Sequence, residues 1–107
     1  MPSIQEAFPA FHAELTALVE ASARPELAAQ VADLPVVDRC RCGEKACAHF
    51  YTAPKPSGGY GAGHSNVLLP AARGLIVLDV VHDRIVAVEL LDRPDVKAIL
   101  DSMLPAR

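Results

Sequence analysis

Three cysteines and a histidine fall within ten residues of one another, in Cys40-Arg-Cys42-Gly-Glu-Lys-Ala-Cys47-Ala-His49, and no other cysteine occurs in the chain. Two soft ligands, a short turn containing glycine and two further ligands are what a chain needs to surround a tetrahedral Zn²⁺. Side chains at i and i+2 of a strand share one face, with Cα atoms about 6.5 Å apart. Cys40 and Cys42 therefore point together, as do Cys47 and His49. If Gly43-Glu44-Lys45-Ala46 closes a hairpin, Cys42 lies opposite Cys47 and Cys40 opposite His49, with all four on one face. Leaning side chains on such a face bring their donor atoms to the roughly 3.5–4 Å separation that bonds of about 2.1–2.3 Å require. Gly43 permits a turn whose amides point at the thiolates, and Arg39, Arg41 and Lys45 offset the negative charge. Four protein ligands make the expected zinc site structural, with no position left for water. Two other chemistries suit the same residues: buried cysteines acting as small hydrophobes, and a disulfide.

The pattern Cys-x-Cys followed by Cys-x-His resembles the SWIM zinc finger, matched here by Cys40, Cys42, Cys47 and His49, with a four-residue spacer shorter than that family's. The resemblance spans about ten residues. It implies a zinc-stabilised module for interaction with DNA or protein, and the acidic balance of this chain favours protein.

Other segments carry weaker chemistry. Gly58-Gly59-Tyr60-Gly61-Ala62-Gly63-His64-Ser65-Asn66 has a glycine content suited to phosphate binding. Phosphate loops, however, sit between a strand and a helix. Here prolines precede and Asn66-Val67-Leu68-Leu69 follows, which reads as a flexible surface loop with Tyr60 and His64 available to a partner. Cys47 or Ser65 with His49, His64 or His82, oriented by Asp79 or Asp83, are the nucleophile–base combinations on offer. No spacing selects one of them, so no catalytic residue is assigned. Asp79 within an apolar strand reads as a hydrogen-bonded structural residue.

The elements that must position these groups follow from periodicity. Ser3-Ile4-Gln5-Glu6 has the form of a capping box, and Pro9 offers a competing helix start. Phe8, Phe11, Leu15, Leu18 and Ser22 then share one helical face to about Ala23. Arg24-Pro25 restarts the chain, and Leu27, Val31 and Leu34 predict a second helix ending before Pro35. Strands are expected at 36–42 and 47–52, with a short one at 66–69. Residues 74–81, apolar on both faces, read as a strand covered on both sides, turned at His82-Asp83 into 84–91. Asp92 is expected to cap a last helix with Val96, Ile99, Leu100 and Met103 buried, stopped by Pro105.

The sum is an α+β fold in one domain. It has an N-terminal helical pair (3–34), a curved antiparallel sheet of four to five strands (36–91) with a glycine-rich loop (54–64), and a C-terminal helix (92–104). At 107 residues the chain can bury a real core, and 51% hydrophobic against 21% charged residues is a globular balance. A net charge of −3 argues against a general polyanion binder. No apolar run approaches the roughly 18 residues of a membrane span, and the N-terminus lacks a signal-peptide pattern. A cytoplasmic protein with reduced thiols is expected. The function expected is a small binding or regulatory domain with structural zinc and a protein partner. The alternative is a small enzyme or ligand-binding protein with a pocket under residues 58–66. Nucleic-acid binding through Arg39, Arg41, Lys45 and Lys55 is the weakest of the three.

Overall fold

The computed structural model describes residues 1–105. The elements run in the order α1 (Ile4–Ala7), α2 (Pro9–Glu20), a 3₁₀ turn (Pro25–Leu27), α3 (Ala28–Val31), β1 (Asp38–Arg39), β2 (Phe50–Tyr51), β3 (His64–Leu68), β4 (Leu75–Val81), β5 (Arg84–Leu91) and α4 (Pro94–Met103). This is the α+β arrangement expected, with one open antiparallel sheet in the order β1-β2-β5-β4-β3.

Both N-terminal start signals are used. Ser3 Oγ accepts from the Glu6 amide and the Glu6 carboxylate accepts from the Ser3 amide, which closes the capping box of α1. Pro9 then occupies the first turn of α2, and Phe8 between them leaves helical geometry at φ −133°, ψ 66°. The single helix expected to run to about Ala23 from one of two competing starts is therefore two helices, each using one start, because a proline cannot extend the helix before it. The second expected helix is also shorter, a 3₁₀ turn plus one turn of α3. Phe8, Phe11, Leu15 and Val19 nevertheless bury one face together with Leu27 and Val31.

β4 and β5 form the best-paired part of the sheet. His82 (φ 48°) and Asp83 (φ 64°) make a two-residue turn with both centres left-handed, the geometry that suits twisted hairpins. A bulge at Asp79/Val80 leaves Val86 unopposed between Ile85 and Ala87. Ile76, Leu78, Val80, Ile85, Val88, Leu90 and Phe50 pack with the helices in a single core. The rings of Phe8 and Phe50 lie 5.3 Å apart there. The opposite face carries no helix, and Leu75 is 42% exposed. The expectation that 74–81 is covered on both sides is thus corrected: helices lie on one face, and the loop after β2 shields only part of the other.

At the C-terminal end Arg93, not Asp92, is the N-cap of α4, and Asp92 takes φ 58°. Val96 and Leu100 are buried as expected, but Ile99 is 39% exposed. Arg93 is fully buried. It holds Glu14 of α2 through two nitrogens at 2.6 and 2.9 Å and Asp95 at 2.9 and 3.1 Å, with Phe11 beneath its guanidinium at 5.4 Å. That knot ties α4 to α2.

Candidate metal centre

The expected cysteine hairpin keeps its register but not its length. Asp38 pairs with Tyr51 and Arg39 with Phe50, and one more hydrogen bond runs from Cys40 N–H to the His49 carbonyl at 3.0 Å. Beyond that the strands end. The segment 47–51 is held on its other side by β5, through the Cys47–Leu91 bridge and the Ala48 amide on the Leu90 carbonyl. Residues 40–45 have no second strand beside them among the described residues and leave the sheet as a loop. Glu44 to Cys47 then closes a turn of its own at 3.1 Å.

Within this loop the Cys40, Cys42 and Cys47 sulfurs lie within 4.8 Å of one another. Tetrahedral coordination with bonds of about 2.3 Å places sulfurs about 3.8 Å apart. Cys42, the exposed member, needs only a small displacement to reach that spacing. Gly43 takes φ 80° with no heavy atom near the position of a Cβ. The left-handed turn it permits aims the Glu44 amide at Cys42 Sγ, at 3.4 Å. That amide is the first cause that lowers the Cys42 thiol's pKa, and the Cys40 and Cys47 side chains add to it. Cys47 is pushed up to about 11, chiefly by burial, while the His49 amide acts in the opposite direction. Burial thus favours the protonated form of Cys47, and a divalent cation reverses that preference by deprotonating its ligands.

His49 does not join this group. It lies between the buried residues Ala48 and Phe50, so its side chain takes the helix-free face with Tyr51, opposite Glu89 in the continued β2–β5 register. Burial lowers its pKa and the charge of Asp79 partly restores it. The loop is also lined on the core side by Arg39, which is buried against Asp101 and the Leu104 carbonyl of α4. Arg41 is paired with Asp38. Two of the four basic residues considered for nucleic acid are thus occupied within the fold.

A cavity of about 530 Å³ opens beside the sulfurs, bordered by the three cysteines, Lys45, Lys97 and Asp101. Lys97 donates to the Cys47 carbonyl at 3.2 Å, which fixes α4 against the loop.

A second polar cluster was not legible as one in the sequence. Asp79, 4% exposed, accepts at one carboxylate oxygen from His64 Nε2 at 2.8 Å and Asn66 Nδ2 at 2.7 Å. The β3–β4 register places Asn66 directly across from Asp79, a pairing no local spacing reveals. Glu89 beside it is pushed up to about 7, first by hydrogen bonding to Asp79, then by burial and the Asp79 charge, against the opposing pull of His64. Tyr60 stacks on His64 with centroids 4.8 Å apart. The glycine loop therefore lays its aromatic residue on these groups, and Gly63 passes so close to the His82 ring that a Cβ would sit 2.4 Å from it. The cavity touching Ser65–Leu68 lies against Ala23 and Arg24, beside the loop. Asp79 is the hydrogen-bonded structural residue its apolar setting implied.

No helix among the described residues is long and apolar enough to cross a membrane. No family model, curated protein or solved structure matches the chain, so the likeness to the SWIM pattern rests on ligand types and spacing.

Proposed function

We propose that this protein is a small zinc-binding domain in which Cys40, Cys42 and Cys47 hold the ion as thiolates, and that it acts by binding, with a protein as partner. The convergence of three sulfurs within 4.8 Å carries the reading. Thiolate sets of this kind select Zn²⁺ and other soft or borderline ions over Mg²⁺ or Ca²⁺. Cys47 is buried, but the main hydrophobic core packs from helices and sheet without the three sulfurs. The metal therefore shapes an exposed loop more than it holds the fold. A net charge of −3, with Arg39 and Arg41 ion-paired, favours protein over nucleic acid.

Protein purified without chelator and analysed for metals is expected to contain close to one zinc per chain. The variant with all three cysteines changed to serine is expected to contain none while keeping its circular dichroism. A wild-type chain that takes up no zinc under reducing conditions would overturn the reading.

A further inference from the structure

The geometry points to an open coordination position on this metal, facing the cleft between the thiol loop and α4, that takes a small anionic ligand with a soft donor atom. The inference rests on the zinc reading above and concerns the same site. Three sulfurs supply three of the four positions of a tetrahedral ion. The fourth candidate from the sequence, His49, is not among the ligand atoms that lie within 4.8 Å of one another, while the cavity of about 530 Å³ borders all three cysteines. That volume suits a small molecule. A neighbouring cavity of about 400 Å³ shares Glu44, Lys45 and Lys97 with it and extends the cleft towards Arg93 and Pro94.

Charge selects the ligand class. Three thiolates on a divalent ion leave one negative charge, which repels a further anion in isolation. Apart from the thiols, the cleft is bordered by three cationic side chains, Arg39, Lys45 and Lys97, against two carboxylates, Glu44 and Asp101. Arg39 and Asp101 satisfy each other. Lys97 is engaged by the Cys47 carbonyl and lies 3.9 Å from Asp101, so Lys45 is the cation placed to receive a carboxylate whose molecule also reaches the metal. A thiol-bearing carboxylate meets both demands, its sulfur completing the tetrahedron and its carboxylate lying against Lys45.

Cobalt(II) substituted into the chelator-treated, reduced protein reports this directly, since its visible bands respond to the fourth ligand. Titration with mercaptoacetate is expected to shift those bands saturably. Lys45→Ala is expected to weaken mercaptoacetate roughly two- to fivefold while leaving neutral mercaptoethanol unchanged, the size of one exposed charge pair. His49→Ala is expected to leave the cobalt spectrum as it is in wild type. Bound cobalt whose spectrum ignores both thiols, or changes on His49→Ala, overturns the open position and leaves the metal site standing. Failure to bind cobalt at all overturns both.

Discussion

Two regions of this molecule gather charge-bearing groups in opposite ways. At the junction of α2 and α4, buried Arg93 finds its counter-ions within the chain, with Glu14 and Asp95 both hydrogen-bonded to it. In the loop after β1, three thiols meet with no cation among their partners in the described residues, and burial holds Cys47 protonated. The first arrangement is complete on folding. The second leaves three sulfur donors that an ion from solution can complete. A buried charge must be paired where it lies, whereas neutral thiols tolerate proximity until a metal replaces their protons.

Arg93→Ala should break the self-sufficient region most severely. It removes the guanidinium from two carboxylates and from the Phe11 ring. A loss of about 3 kcal/mol in denaturant-measured stability is expected, at the low end for a broken buried pair because Glu14 and Asp95 can still reach water. Cys42→Ser should do the reverse. Metal affinity measured by chelator competition is expected to fall by roughly a hundredfold or more, beyond the loss of a mere supporting group. The stability of the metal-free chain should move by no more than about 0.5 kcal/mol, as for other exposed substitutions.

Gly43→Ala sharpens the contrast at a finer scale. Its φ of 80° costs an L-residue about 1–2 kcal/mol, so metal affinity is expected to drop about tenfold through strain in the loop alone. Equal affinity of the alanine variant would mean the turn does not set the sulfurs.

The smallest expected effect is a pH slope. Glu89 has its pKa raised by Asp79 from 4.5 to about 7, so the folded state holds a proton that the unfolded state has released. Its contribution is full below about pH 4.5 and is lost as pH rises through 7. After solvent screening this amounts to about 1 kcal/mol between pH 5 and 8, visible in unfolding curves and abolished by Glu89→Gln. Asp95 runs the other way. Arg93 lowers its pKa, so its contribution is present above the unfolded value of 3.8 and is lost as acid titrates it. Parallel slopes from the Glu89→Gln and Asp95→Asn variants would erase the distinction between the two kinds of site.

Local sequence patterns are enough to place β4, β5 and their turn within a residue or two, because two largely apolar runs and the His-Asp turn between them are local signals. The capping box, Pro9 and Pro94 mark helix starts for the same reason. The convergence of the thiols is also foreseeable, since their spacing and Gly43 lie within one short loop. Other features depend on residues far apart in the chain. His49 stays out of the sulfur cluster, although Cys47, two residues earlier along the segment that β5 holds, belongs to it. Arg93 is buried because Glu14, 79 positions earlier, waits across the core. Asp79 meets Asn66 and Glu89 only through pairing with both neighbouring strands. Periodicity and turn chemistry act over a few residues, so sequence alone determined the elements and the candidate ligands. Which face each side chain takes, and which charges meet, depends on strand register and helix docking, and only the tertiary structure decided those.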